Sequence, residues 1–113
     1  YITGSSLDQK VVEEVKSLMP HQNCEVLVIL DSDHTKDHVL KEMEIYSKLV
    51  QKGSYIIVED TDINGHPVRP GFGDGPMEAV YEFLRTHDEF IIDKEKEKFI
   101  MTCNPNGYLK KIK

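Results

Sequence analysis

Acidic side chains follow two predicted strands of the chain, at the point where each strand ends. Asp31 and Asp33 come directly after the apolar run of EVLVILD, and Glu59 and Asp60 come directly after SYIIV. Carboxylates crowded at one edge repel unless a cation neutralises them or some hold protons, and oxygen ligands suit a hard divalent ion such as Mg²⁺. The competing interpretation is that these acids are solvated loop residues or helix N-caps, a role open to Asp31 or Asp33 before Thr35.

Side chains that could move a proton lie beside the first acidic pair and in a long loop. His34 could contact a cofactor ring or act as a base, and Lys36 could be a base if a metal or desolvation lowered its pKa. Both could equally be surface residues of the first helical turn, which is the role we expect for His38. The loop over residues 64–76 places His66 among glycines and is either a substrate lid or an irregular connection.

The hydrophobic pattern predicts the elements that must position these side chains. The predicted order is strand, helix, strand, helix, strand, long loop, helix and hairpin. The segments are a β-like start at 1–6, a helix capped near Asp8 and closed by Pro20, a strand at 25–31, a helix at 35–50 stopped by Gly53, a strand at 54–58, a helix from Pro76 to about residue 85, and a hairpin made of 90–93 and 98–103.

Alternation of strands and helices is typical of an α/β layered fold with a mainly parallel sheet. The apolar strand at 25–31 has the composition of a strand buried on both faces. Ligands of such sheets sit beyond the carboxyl ends of the strands, which is where both acidic pairs lie. One strand–helix–strand return separates the two pairs, and we favour a site formed by Asp33, Glu59 and Asp60.

The composition is that of one compact domain with an acidic balance. The 113 residues carry a formal net charge of −6, and the terminal LKKIK is the one Lys-rich block. Nucleic acid and anionic membranes reward a basic face, so we expect neither as a partner. We expect a cytoplasmic protein that binds a small molecule and keeps Cys24 and Cys103 as reduced core thiols. The terminal NPNGYLKKI could pack against a second copy, so a homo-oligomer stays open.

Four segments of the chain resemble one protein family. At LVILDSDHTKDHVL, SYIIVEDTDINGHPV, PGFGDGPMEAV and NPNGYLKKI, the sequence is similar to the cephalosporin hydroxylase and rhamnosyl O-methyltransferase family. The resemblance runs over essentially the whole chain. It implies a Rossmann-like, class I methyltransferase fold whose sheet is mostly parallel with a C-terminal antiparallel hairpin. It further implies S-adenosylmethionine as methyl donor and Mg²⁺ bound by Asp33, Glu59 and Asp60.

A weaker similarity links the chain to catechol O-methyltransferase. There a small-residue segment like GSSLD contacts the adenosine of the cofactor, which implies cofactor contacts for Gly4, Ser5, Ser6 and His34. The stretch DHTKD resembles that enzyme's metal-ligand aspartate, cofactor-contacting histidine and lysine base, which makes Lys36 a base candidate. The second acid pair is Glu–Asp rather than Asp–Asn, which argues against a catechol substrate. The resemblance to family members that methylate sugars implies a histidine as the base, so His34 and His66 remain candidates.

The resemblance also implies which part of the family fold the chain represents. Class I methyltransferases carry a glycine-rich turn after their first strand and a ribose-binding acid after the second, and neither feature occurs in these residues. We therefore expect residues 1–113 to form the C-terminal portion of a methyltransferase domain that lacks its first two strands. A chain without those strands is expected to bind S-adenosylmethionine weakly or not at all.

Three functions remain open from the sequence. The first is a metal-dependent O-methyltransferase that acts on a hydroxyl of a sugar or natural product. The second is a non-catalytic α/β binding module, or an inactive fragment, whose acids cap helices and whose loop binds a partner. The third is a hydroxylase, as one family name implies, but the sequence has no evident 2-His-1-carboxylate site for iron.

Overall fold

The computed structural model describes residues 1–19, 24–98 and 101–113, and it has four strands and three α-helices in this part of the chain. The sheet order is β1-β2-β4-β3; β1 and β2 run parallel, and β4 runs antiparallel to both β2 and β3. The elements are α1 (Gln9–Ser17), β1 (Val28–Leu30), α2 (Lys36–Tyr46), β2 (Tyr55–Val58), α3 (Pro76–Leu84), β3 (Phe90–Ile92) and β4 (Tyr108–Lys111), with 3₁₀ turns at Ser47–Leu49 and Lys94–Lys96.

The α/β class is confirmed, but the expected mostly parallel sheet is not what the described residues form. One of their three strand pairings is parallel, because β4 inserts between β2 and β3 in the opposite direction. Whether a longer chain adds two parallel strands stays a prediction. The alternation of elements and the family resemblance therefore predicted the right fold class but more parallel strand pairing than these residues form.

The prediction that residues 98–103 form the second strand of a hairpin is wrong. Residues 101–103 form no strand, residues 99–100 lie outside the described residues, and the partner of β3 is β4. The segment YLKK has the composition of an exposed tail because two of its four residues are lysines. A lysine can nevertheless pack its aliphatic stem against apolar surface while its ammonium makes polar contacts. Leu109 is fully buried, and the Lys111 ammonium lies 5.3 Å from the Phe90 ring centroid while it donates to the carbonyls of Ser47 and Val50.

The N-terminal residues give one confirmed and one wrong prediction. Asp8 caps α1, since its carboxylate accepts a hydrogen bond from the backbone N–H of Lys10 at 2.8 Å. No strand forms within residues 1–8. Strand β1 is consequently at the edge of the described sheet, and its expected burial on both faces is wrong because Leu27 and Ile29 are each 55% exposed.

Helices α2 and α3 pack against each other and against the sheet. Their apolar positions recur at helical spacing, and most of them point into one cluster as the sequence predicts. The cluster consists of Leu30, Val39, Met43, Val50, Ile56, Val58, Ala79, Val80, Phe83, Phe90 and Leu109. This core fixes the ends of β1 and β2, from which the acidic residues project.

Both cysteines are free, as expected, but neither belongs to the core: Cys24 is partly exposed and Cys103 is exposed. None of the described helices is both long enough and apolar enough to cross a membrane. The predicted location in the cell stays a prediction.

The sheet offers two isoleucines with opposite environments. Ile56 on β2 is fully buried, whereas Ile91 on β3 is 45% exposed. We expect Ile56→Val to lower the free energy of unfolding by about 0.5–1.5 kcal/mol, because it removes one methylene from a close-packed core. The matched Ile91→Val change should stay within about 0.5 kcal/mol of wild type. Urea denaturation measures both, and equal losses would contradict the burial pattern.

Candidate functional site

The parallel pairing of β1 and β2 brings the two groups of acids to one edge. Leu30 and Val58 are register partners at the carboxyl ends of these strands, and the Glu59 N–H donates to the Leu30 carbonyl at 3.0 Å. The residues that follow both strands therefore begin side by side. This placement is the one that the sequence pattern predicts for Asp31 and Asp60.

Asp31, His34 and Asp60 form a compact cluster of possible metal ligands. One ligand atom from each lies within 4.8 Å of the others. The His34 Nε2 atom is 3.1 Å from an Asp60 oxygen and 3.6 Å from an Asp31 oxygen. That nitrogen is buried and makes no well-aligned hydrogen bond among the described residues. A nitrogen placed between two carboxylates without a hydrogen bond fits a divalent cation, for which histidine and carboxylate are both ligands.

The other two predicted metal ligands lie outside this cluster. The Asp33 carboxylate accepts the Thr35 N–H at 2.8 Å, and this backbone hydrogen bond lowers the pKa of Asp33. The Glu59 carboxylate accepts the side-chain amide of Asn104 at 2.6 Å. Asp33 thus fixes the turn before α2, whose N-cap is Thr35, so Asp33 is not the N-cap that the competing interpretation proposed. A carboxylate has two oxygens, so neither hydrogen bond by itself prevents ligation.

Asn104 holds the second acid pair in place, and sequence reasoning missed it. Its side-chain oxygen accepts the Asp60 N–H at 2.9 Å, while its amide donates to Glu59. Asp60 has a φ of +52°, a left-handed conformation that costs free energy in a non-glycine residue. A Cβ on Gly107 would lie 2.3 Å from the Val58 carbonyl oxygen, so only glycine fits there. The sequence signal was the NPNGY segment.

Lys36 is engaged in ion pairs rather than free to act as a base. Its ammonium lies 2.7 Å from a Glu82 oxygen and 3.6 Å from an Asp74 oxygen. The hydrogen bond to Glu82 raises the pKa of Lys36, although partial desolvation opposes the shift. A general base needs a lowered pKa, so this arrangement favours the protonated ammonium.

Glu78 on α3 ties the long loop to the helix. Its carboxylate accepts the Gly75 N–H and the His66 Nε2–H, each at 2.7 Å, and the Asn64 amide at 3.2 Å. Desolvation alone would raise the pKa of Glu78, but these hydrogen bonds, led by that from His66, lower it to about 2. His66 is therefore held beside an ionised carboxylate.

A buried polar group links the predicted cofactor segment to the acids. His38 is not the surface residue that we expected: its Nε2 atom lies 3.2 Å from the hydroxyls of both Ser6 and Ser32 and 3.4 Å from a Glu42 oxygen. Glu42 is only 2% exposed and accepts the Ser32 hydroxyl at 2.9 Å. Sequence reasoning missed Glu42, whose one visible signal is its spacing of four residues from His38.

The predicted cofactor residues Gly4 and Ser5 belong to the turn before α1. Gly4 has a φ of +148°, and a Cβ there would lie 2.7 Å from a Val11 methyl carbon. The Ser5 carbonyl accepts the Asp8 N–H at 3.0 Å, and its hydroxyl accepts the Leu7 N–H at 3.3 Å. The turn therefore has a fixed backbone, and its contact with a cofactor stays a prediction.

The lowered pKa of Glu78 predicts a pH-dependent stability. Its folded pKa of about 2 lies below the ordinary 4.5, so its contribution is present above about pH 4.5 and is lost as the pH falls towards 2. We expect Glu78→Gln to lower the free energy of unfolding at neutral pH by at most about 3 kcal/mol. The difference from wild type should shrink on acidification. Urea unfolding across this range measures it; the exposed Glu44→Gln should follow wild type, and a constant deficit would contradict the assignment.

Comparison with known proteins identifies the family of the chain. Rhamnosyl O-methyltransferase of Mycobacterium tuberculosis (strain ATCC 25618 / H37Rv) is 41% identical over 114 residues, which cover 96% of this chain and 45% of that protein. The rhamnosyl O-methyltransferase of Mycobacterium leprae (strain TN) is 38% identical over 112 residues, which cover 96% of this chain and 48% of that protein. The chain thus spans slightly less than half the length of these relatives, and no solved structure matches it. Because the model of the rhamnosyl O-methyltransferase/CmcI family matches residues 1–112, the chain belongs to that family.

Proposed function

We propose that this chain is part of an O-methyltransferase that uses S-adenosylmethionine and a divalent metal ion to methylate a hydroxyl of a sugar or natural product. The family membership and the names of the relatives support methyl transfer to oxygen. The single observation that carries the metal dependence is the convergence of Asp31, His34 and Asp60 around an unsatisfied buried nitrogen.

Asp60 is common to the cluster and to the ligand set implied by the resemblance. In the cluster, the other two ligands are Asp31 and His34, which follow β1. Asp33 and Glu59 are the further ligands that the resemblance implies, and the Thr35 N–H and the Asn104 amide orient their carboxylates. A bound divalent cation would supply positive charge that favours ionisation of a nearby hydroxyl.

The donor side of the site would lie by the turn at Gly4, Ser5 and Ser6. S-adenosylmethionine supplies, when bound, a methyl group on a sulfonium that a hydroxyl oxygen can displace. A cavity of about 300 Å³ adjoins this turn and is lined by Ser6, Glu42 and Tyr46, among other residues. That volume is at the small end of ligand sites, which fits a chain that forms only part of the donor pocket.

Three residues remain candidates for the base. His34 lies between two carboxylates and serves best as a ligand or a cofactor contact. Lys36 is paired with Glu82 and has a raised pKa, which keeps its amine protonated and leaves no lone pair to accept a proton. His66 contacts Glu78 through Nε2 and lies later in the chain than Asp60. Its second ring nitrogen, Nδ1, remains available to accept a proton from a substrate.

Metal binding gives the direct test of this proposal. Mn²⁺ titration followed by electron paramagnetic resonance measures affinity without any requirement for activity. We expect Asp60→Asn to weaken Mn²⁺ binding at least about tenfold, because it removes a charged ligand common to both sets. Asp37→Asn, which removes one charge from an exposed residue on the first turn of α2, should leave the affinity within about twofold of wild type.

The same titration separates the two ligand sets and the competing function. A larger effect of Asp31→Asn than of Asp33→Asn would favour the cluster as described, and the reverse order would favour the set implied by the resemblance. Affinity that is unaffected by Asp60→Asn would contradict the metal site and favour the non-catalytic module, in which these acids cap helices and orient loops.

Donor binding is predicted for the chain alone. Isothermal calorimetry of the 113-residue chain with S-adenosylmethionine should show weak binding or none, since the cavity beside the Gly4–Ser6 turn is small and open. Tight binding by this chain would contradict the prediction that part of the donor pocket is missing.

A further inference from the structure

A second, larger cavity lies between the long loop and the segment that precedes β4. It has a volume of about 610 Å³, within the usual range of small-molecule sites. Three successive residues join its two walls: the Asp60 N–H donates to Asn104, the Thr61 hydroxyl to the Pro105 carbonyl at 2.6 Å, and the Asp62 N–H to the Cys103 carbonyl at 3.1 Å. The cavity thus begins two residues along the chain from Asp60.

The lining of this cavity combines an apolar wall with acceptor groups. The described lining residues include no lysine or arginine, and their polar members include the carboxylate of Asp62 and the imidazole of His66; the Glu97 carboxylate also lines the cavity but is paired with Lys94 at 3.0 Å. Such a surface suits a neutral ligand that has hydroxyl groups on one side and an apolar face on the other, and it disfavours an anion. The apolar members are Pro67, Val68, Met101, Cys103 and Pro105.

His66, a lining residue, is oriented by a partner on α3. Glu78 is ionised near neutral pH and can only accept a hydrogen bond, so the 2.7 Å contact places the His66 proton on Nε2. The neutral ring then has its lone pair on Nδ1, for which the described residues provide no hydrogen-bond donor. A carboxylate that fixes the tautomer of a histidine in this way prepares the opposite nitrogen to accept a proton.

We propose that this cavity binds the methyl acceptor, a neutral hydroxyl-bearing molecule with an apolar face, and that Nδ1 of His66 accepts the hydroxyl proton while Glu78 positions the ring. The inference rests on the methyltransferase function proposed above. In the reaction, the O–H bond of the acceptor breaks and its proton goes to His66. The oxygen forms a bond to the methyl carbon of the sulfonium donor, whose C–S bond breaks with its electron pair left on sulfur. The imidazolium then releases its proton to solvent.

Binding of two matched sugars tests the site without any need for turnover. The probes are a methyl 6-deoxyhexopyranoside, which is neutral and carries an apolar methyl group, and the methyl hexuronide that has a carboxylate in place of that methyl. Heteronuclear NMR titration of the 113-residue chain should show shifts of the Val68 and Met101 methyl groups with the neutral sugar. The hexuronide should bind at least about tenfold more weakly.

Matched variants locate the binding. Val68→Trp should fill the cavity and weaken the neutral sugar at least about tenfold, whereas Ile91→Trp should leave its affinity unchanged. Val68 and Ile91 are 41% and 45% exposed, so both changes add an exposed indole to the surface. Shifts confined to other residues, equal effects of the two variants, or equal binding of the two sugars would overturn the proposed site.

The role of Glu78 has its own spectroscopic signature. Long-range nitrogen–proton NMR at about pH 8.5, where histidine is ordinarily neutral, should show His66 protonated on Nε2. Glu78→Gln retains an acceptor for the Gly75 N–H but can present its NH₂ group to the ring, so the preference for Nε2–H should be lost. An unchanged tautomer in that variant, or an Nδ1–H tautomer in wild type, would overturn the positioning role.

The results distinguish an error in the acceptor-cavity proposal from an error in the proposed function. If Asp60→Asn leaves the Mn²⁺ affinity unchanged while the neutral sugar still shifts the Val68 methyl signals, the proposed function is contradicted and the cavity remains a sugar site. Mn²⁺ binding that depends on Asp60, together with no sugar-induced shift at Val68 or Met101, would support the proposed function and overturn the acceptor cavity.

Discussion

The parallel register of β1 and β2 is the constraint on which the candidate site depends. Because Leu30 and Val58 are partners, the chain leaves both strands at the same height, and Asp31 and Asp60 emerge side by side. A slip of one residue would send the side chains of β1 to the opposite face of the sheet. The apolar core beneath the strands prevents such a slip, since Leu30, Ile56 and Val58 are all buried. Core packing therefore determines the geometry of the polar site at the end of these strands.

Two polar side chains, the buried Asn104 and the partly buried Glu78, extend this geometry to the connection between β2 and α3. Asn104 holds the turn after β2, where Asp60 has a left-handed backbone, and Glu78 holds the loop that leads into α3. Each makes hydrogen bonds to backbone and side-chain groups at once, so its removal would leave several partly buried groups without these partners. Both act on one connection, residues 59–75 between β2 and α3, which has no regular secondary structure to hold it.

Local signals in the sequence were sufficient for elements whose stability is local. Apolar periodicity and terminal residues predicted α2, α3 and β2, and Asp8 and Pro76 were placed at helix starts as the structure has them. Strand β4 was missed because its burial depends on partners distant in sequence and its lysines resemble a solvated tail. Asn104 and Glu42 were missed for the same reason, since their hydrogen-bond partners become visible only when the chain is folded.

The distribution of hydrogen-bond donors distinguishes Asp31 and Asp60 from the other acids near the site as candidate metal ligands. Asp33, Glu59 and Glu78 each receive an N–H donor from backbone or amide, which disperses their charge within the protein. Asp31 and Asp60 instead face a histidine nitrogen that makes no aligned bond among the described residues. In a chain of net charge −6, these two carboxylates on either side of one imidazole add negative potential at one point of the sheet edge. A cation from solvent would lower the repulsion without rearrangement of the backbone, because the strand register has already brought the ligands together.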